Sequence, residues 1–279
     1  MKKIAYQGEP GANSHIACAD AYPDHEPLPC ATFEDCFSTV EGNEAALAMI
    51  PLENSIAGRV ADIHALLPHS ELSIVSEYFL PIRFHLMALP SASIATIKTV
   101  ESHVMGLSQC RKVIKEMKLR AVVATDTAGA ARTVSESKDA TRAALAPALA
   151  AEIYKLKVLR EDCQDAAHNT TRFIILSKNA QRPQAGGCNI TSFIFRVKNI
   201  PAALYKALGS FASNGINMTK LESYMLGGAF SATMFYVDVE GHPDDADLSR
   251  ALAELQFFTD EFRILGVYPA HEFRTRKAL

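Results

Sequence analysis

Asn169, Thr170, Thr171 and Arg172 stand immediately before the apolar run "FIIL". An amide, two hydroxyls and a guanidinium at the mouth of a buried strand suit an anionic, oxygen-rich ligand. A second polar set, Glu53, Asn54 and Ser55, lies where the apolar stretch "AALAMIPL" runs out. Strand ends are where α/β proteins commonly hold ligands. "ESHVMGLSQC" puts Ser102 and His103 at a strand-to-helix junction, with Gln109 about two helical turns further on. "TDTAGAA" places Asp126 and Thr127 at another such junction. "GEPGANSH" follows the first strand and opens a helix whose N–H groups can receive an anion, although it is neither a Walker loop nor a dinucleotide fingerprint. Each set taken alone has a plain alternative as a helix cap or polar loop. Together they describe a cleft that clasps a small carboxylated molecule by hydrogen bonds. No serine–histidine–aspartate or cysteine–histidine arrangement is evident in the spacing.

The elements that must position these residues alternate strand and helix. "KKIAYQG", "AALAMIP", "IKTVES", "RAVVATD", "RAALA" and "TRFIILSK" read as strands. "LSIVSEYFLPIRFHLMAL" reads as a long extended stretch broken at Pro81. Between them, "HIACADAY", capped by Asn13 or Ser14, "GRVADIHALL", "MGLSQCRKVIKEM", "TAGAARTVSES" and "PALAAEIYKL" read as helices. That alternation predicts an α/β region with largely parallel sheets covered on both faces, over residues 1–180. "NAQRPQAGGC" reads as a linker. Residues 189–279 then predict a smaller βαββαβ domain of ferredoxin-like type, with Gly215 closing its first helix and "LGGA" turning its central hairpin.

Composition bounds the function. The chain has 279 residues, 48% hydrophobic and 21% charged, with net charge −3. This is a globular balance with nothing to attract a nucleic acid or an acidic membrane. The basic "RTRK" (Arg274 to Lys277) reads as a solvated tail. No apolar run approaches a membrane span, and the first residues reach Gly and Pro before a signal core could form, so a cytoplasmic location is expected. The six cysteines are scattered without a CxxC pair, which predicts free, mostly buried thiols and no metal site.

In their order and spacing, "GEPGANS", "PLENSIAG", "ESHVMGLSQC", "DTAGAA", "NTTRF", "LESYM" and "ILGVYP" resemble the prephenate dehydratases with a C-terminal ACT-type regulatory domain. The resemblance implies two α/β lobes like those of a periplasmic binding protein, with the site between them. It implies decarboxylating dehydration of prephenate to phenylpyruvate on the route to phenylalanine. Thr171 then matches the catalytic threonine, and Glu53 and Asn54 the acid–amide pair. Arg172 matches the arginine that holds a substrate carboxylate, and Phe173 the apolar wall. Ser55, Ser102, Gln109, Thr127 and Asn169 match substrate-facing polar positions, and Asp126 stands at a further matching position with a structural role as the alternative.

The resemblance further implies pairing of ACT domains into a homo-oligomer, a dimer or tetramer. Phenylalanine would be bound as effector near Asn199, Ala202, Ala203 and Leu204 and near Leu221, Glu222 and Ser223. The sequence departs from the family at Val104, where proline is usual, and at Ala12-Asn13. It departs again at Tyr224-Met225, where Arg-Pro is usual, and at Ala202, where glycine is usual. Aromatisation drives the implied reaction, so no cofactor is expected. Two alternatives stand beside prephenate: arogenate as substrate, giving phenylalanine directly, and a non-catalytic amino-acid sensor. A transcriptional regulator would need a basic helix-turn-helix, and none is present.

Overall fold

The structure is a computed structural model, and it describes residues 1–180, 182–225 and 233–274. The chain begins β1 (Lys2–Gln7), α1 (Asn13–Ala21), β2 (His25–Cys30), α2 (Phe33–Glu41), β3 (Leu47–Asn54), β4 (Gly58–Arg59), α3 (Ala61–Leu66), β5 (Ser73–Pro81). It continues β6 (His85–Ala88), β7 (Thr99–Ser102), α4 (Val104–Gln109), α5 (Arg111–Glu116), β8 (Arg120–Val123), α6 (Thr127–Glu136). Next come β9 (Arg142–Ala146), α7 (Ala148–Ile153), β10 (Lys157–Arg160) and β11 (Thr170–Ser177). The last stretch is β12 (Asn189–Val197), α8 (Ala203–Ser213), β13 (Met218–Met225), β14 (Thr233–Glu240), α9 (Ala246–Gln256) and β15 (Thr259–Pro269).

Two compact units result, Met1–Val60 with Phe79–Phe173, and Ala61–Tyr78 with Ile174–Leu279. The boundary read from the sequence, near residue 180, therefore moves: α3 and most of β5 pack with the C-terminal elements. β5 and β11 each pass from one unit into the other.

The first unit contains two sheets. In one, β2 and β3 flank β1 in parallel, β4 folds back on β3, and β11 lies beside β3. In the other the order is β10-β6-β9-β7-β8. There β7 runs parallel to β8 and β9, while β6 is antiparallel to β9 and β10. The sheets are mixed rather than largely parallel. α6 packs on the second sheet through Ala128, Ala131 and Val134 against Ala144 and Ala146, small residues that let helix and sheet approach closely. Gly11 is required for a similar reason. It has φ +92°, and a Cβ there would lie 2.8 Å from the Ala150 Cα.

Local chemistry explains where the reading shifts. Ala12, not Asn13 or Ser14, occupies the N-cap of α1, and no side chain caps that helix. The single amphipathic helix expected over 105–117 is two short helices, broken at Cys110 (φ −124°, ψ 31°). α2 and β2 were not anticipated. α2 carries a full capping box, Thr32 with Asp35, and β2 is an edge strand whose two prolines disguise it. The Cys18, Cys36 and Cys110 thiols are free and pushed up by burial.

The second unit carries the order β13-β14-β12-β15, with β5 added parallel to β15 at Ile74 and Gly266. A Cβ on Gly266 would lie 2.1 Å from the Ile74 carbonyl oxygen, so only glycine fits that crossing. α8 and α9 cover one face through Phe211, Leu248 and Leu255 against Phe193, Phe195 and Val237. Gly215, at φ +68°, follows the end of α8 as expected. The other face carries a buried polar cluster. Ser192 donates to Asp238 at 2.5 Å and shares a 2.7 Å bond with the Tyr268 hydroxyl.

Arg274 reaches this network and Glu77, with its side chain only 16% exposed. The start of the expected solvated tail is thus structural. The expected hairpin turn at Leu226–Ala229 and the rest of the basic tail lie outside the described residues. Among the described residues, no helix is long and apolar enough to cross a membrane.

Candidate active site

β3 and β11 bring their polar ends side by side, and the Ser55 N–H donates to the Thr170 carbonyl at 2.9 Å. Successive residues on a strand point to opposite faces. Asn54 and Thr171 therefore share one side and Glu53 and Arg172 the other. Asn54 folds into a turn in which its Oδ1 accepts the N–H groups of Ile56 (3.0 Å) and Ala57 (2.8 Å). Its Nδ2 donates to Asn169 Oδ1 at 2.8 Å and to Thr171 Oγ1 at 2.9 Å, with the Thr170 carbonyl at 3.2 Å. Asn169 Nδ2 donates onward to Gln109 Oε1 at 2.9 Å, and the Asn169 carbonyl accepts the Ile82 N–H at 2.8 Å. Ser55 Oγ bridges the strands, donating to the His168 carbonyl at 2.8 Å and accepting from the Thr170 N–H at 3.0 Å.

On the opposite side, Arg172 Nη1 donates to Glu53 Oε1 at 3.0 Å, with side chains 4% and 31% exposed. A nearly buried guanidinium needs such a partner, and the pair leaves the carboxylate as its more accessible member. Phe173 is fully buried behind this edge, in keeping with an apolar wall.

The structure thus brings together Asn54, Ser55, Gln109, Asn169 and Thr171, with Glu53 and Arg172 paired on the opposite side of the strands. Ser102 departs from expectation. It is fully buried, and its hydroxyl donates to the Leu145 carbonyl at 2.6 Å, so it braces β7 against β9 rather than facing a ligand. Gly106 keeps space for it, because a Cβ there would lie 2.6 Å from Ser102 Oγ. The cap of α4 is His103, whose Nδ1 accepts the Met105 N–H at 3.3 Å. Thr127 opens α6 behind its cap Asp126, which accepts the Gly129 N–H at 2.7 Å. Asp165 was not anticipated. Its carboxylate takes the N–H groups of Arg111 and Lys112 at 3.0 Å each, and its own N–H donates to the Gln109 carbonyl at 2.7 Å. No sequence pattern links it to Gln109.

In the second unit, a hollow of about 540 Å³ is lined by Asn199, Ala202, Ala203, Leu204, Phe235 and Asp260, among others. Ala202 adopts φ +61° at the N-cap of α8, a left-handed conformation that glycine fills without strain. Leu221, Glu222 and Ser223 lie on β13 outside that lining. Tyr224 stacks edge-on against the buried His64 ring at 5.8 Å, away from the hollow, and burial pushes its phenol up.

Strand-end amides and hydroxyls, with the Arg172–Glu53 ion pair on the other side of the strands, are carried on an α/β scaffold. The sequence profile of the prephenate dehydratase family matches residues 4–181. A bifunctional N-acyl-homoserine lactone acylase/prephenate dehydratase of Komagataeibacter europaeus is 50% identical over 98% of both chains. An arogenate dehydratase/prephenate dehydratase of Arabidopsis thaliana is 36% identical over 96% of this chain and 72% of its own. The crystal structure of prephenate dehydratase from Arthrobacter aurescens in complex with L-Phe superposes with a TM-score of 0.88 at 30% identity. It covers 96% of this chain and 90% of that one. The chain belongs to the prephenate dehydratase family.

Proposed function

We propose that the cluster ending in Thr171 carries out the decarboxylating dehydration of prephenate to phenylpyruvate. The observation that carries this reading is the bond from Asn54 Nδ2 to Thr171 Oγ1, which holds a hydroxyl in place at a strand end. Loss of the ring carboxylate as CO₂ and of the C4 hydroxyl as water aromatises the ring and consumes one proton. The enzyme's task is to align the two leaving groups and stabilise the departing oxygen. Thr171 donates a hydrogen bond to that oxygen. Arg172, which the family resemblance matches to a carboxylate-holding arginine, is paired with Glu53 on the other side of the strand from Thr171. The direct test follows phenylpyruvate and phenylalanine with prephenate and arogenate supplied separately. Turnover of arogenate alone would reassign the substrate, and turnover of neither would leave a sensor.

A second activity is favoured by the relative from Komagataeibacter europaeus, whose name couples dehydratase with acylase and which matches over nearly the whole of both chains. Incubation with an N-acyl-homoserine lactone, following release of the free acid, tests it. Unchanged lactone after prolonged incubation with dehydratase-active protein would remove it.

Residues 189–279 form, in this reading, a ferredoxin-like ACT domain that pairs with a second copy and takes phenylalanine. The hollow at Ala202–Leu204 supports it, since α8 begins there with no side-chain cap, and the start of a helix suits a carboxylate. Leu221, Glu222 and Ser223 would complete the site from a paired domain. Titration calorimetry with phenylalanine on the active protein tests this. Absence of both heat and inhibition at millimolar effector would remove the site.

A further inference from the structure

We infer that Gln109 and Asp165 are positioning residues that fix the direction of the Thr171 hydroxyl through two intervening amides. This rests on the assignment of Thr171 to the chemistry above.

The direction of each bond follows from one fixed end. Backbone N–H groups only donate, and those of Ile56 and Ala57 both reach Asn54 Oδ1. The Asn54 NH₂ must therefore face the other way, onto Asn169 Oδ1 and Thr171 Oγ1. Asn169 then presents oxygen to Asn54 and nitrogen to Gln109, whose Oε1 receives it. Turning the Asn169 amide over would set nitrogen against nitrogen on one side and oxygen against oxygen on the other. Asn169 and Gln109 are 1% and 9% exposed, so water is a poor substitute partner for either.

Thr171 Oγ1 is an acceptor in this chain, and a hydroxyl carries one proton of its own. No acceptor among the described residues takes that proton. It is left to point at a substrate oxygen. Asp165 holds the far end: its carboxylate accepts the first N–H groups of α5 and its own N–H donates to the Gln109 carbonyl, which pins the backbone that carries the Gln109 acceptor.

The test is steady-state kinetics with prephenate on the full chain. Gln109→Met keeps the volume and removes the acceptor, freeing the Asn169 amide to turn over. It is expected to lower kcat about 10- to 100-fold, the scale of a small misplacement of a reacting group, with KM within about twofold. Gln109→Glu retains the acceptor and keeps most of kcat. The decisive variant adds Asn169→Asp to Gln109→Met. A carboxylate offers oxygen to Asn54 whichever way it turns, so about tenfold of the lost kcat returns.

A raised KM in both single variants would make Gln109 a substrate contact and overturn the inference. Lowered melting temperature with normal kcat per folded molecule would do the same, as would failure of Asn169→Asp to rescue. Should Gln109→Met not fold, Asp165→Ala is read instead, with the same expected drop in kcat at unchanged KM. Thr171→Ala in the same assay keeps the two ideas apart. Normal turnover there sinks the assignment of Thr171, whereas an inactive Thr171→Ala beside a wild-type-like Gln109→Met sinks the relay alone.

Discussion

Arg274 closes on Glu77 through two bonds, Nε to Oε1 at 2.6 Å and Nη2 to Oε2 at 2.9 Å. The Glu77 side chain is fully buried and also accepts the His271 N–H at 3.1 Å. Asp238, equally buried, lies 3.8 Å from the same guanidinium, so one arginine serves two carboxylates in the second unit. Removing one member of a buried pair leaves the other uncompensated, at a cost of about 3–5 kcal/mol. Arg274→Ala is expected to lower unfolding stability by about that amount in urea titration, and Arg274→Lys to recover only part, because an ammonium lacks the planar fork. A loss under about 1 kcal/mol in the alanine variant would show that water replaces the guanidinium.

Thr171→Ala removes the hydroxyl held by Asn54. Loss of one donor to a departing oxygen lowers kcat by about 10²–10³, and Thr171→Ser retains a sizeable part of the rate. The same rate constants measured on refolded and native protein separate chemistry from folding.

Ala202 holds φ +61° without being glycine. An L side chain in that region costs about 1 kcal/mol, partly offset by the greater freedom glycine has when unfolded. Ala202→Gly is therefore expected to raise the urea midpoint slightly, by up to about 1 kcal/mol of stability. A lowered midpoint would mean that the methyl group makes compensating contacts at the hollow.

His15 stacks on Tyr6 with ring centroids 5.3 Å apart, and its Nδ1 accepts the Gly11 N–H at 3.0 Å. Burial lowers its pKa from the ordinary 6.5. The folded state therefore binds fewer protons than the unfolded one between the two pKa values. Its contribution to stability is full above 6.5, falls as pH drops below 6.5, and levels off beneath the folded pKa. His15→Gln, which keeps an acceptor but does not titrate, is expected to flatten the decline in stability between about pH 7 and pH 5. Equal slopes in both proteins would place the titration elsewhere.

Much of this was legible because it is local. Apolar runs with a polar cluster at one end, Glu53–Ser55 after one run and Asn169–Arg172 before another, mark strand ends directly, and the structure brings those two clusters together. Alternation of strand and helix gave the class. What escaped was either disguised or distant. Pro27 and Pro29 hide β2, an edge strand that tolerates lost N–H groups. Ser102 carries the same residue type whether it meets a ligand or the Leu145 carbonyl, and only the pairing of β7 with β9 decides. Arg274 and Asp165 act on residues far along the chain, and no window of sequence contains both partners.

Ala61–Tyr78 must wait for its partners. Glu77 meets Arg274 after 197 intervening steps, and Ser70 meets Arg263 after 193. At about 5–20 residues per second of synthesis, roughly 10–40 s pass before those arginines leave the ribosome. Until then Ile74, Glu77 and His64, all buried in the finished protein, remain uncovered on the nascent chain. Release of a chain cut short before Arg263 would leave that surface permanently open, a ready target for chaperones and proteases.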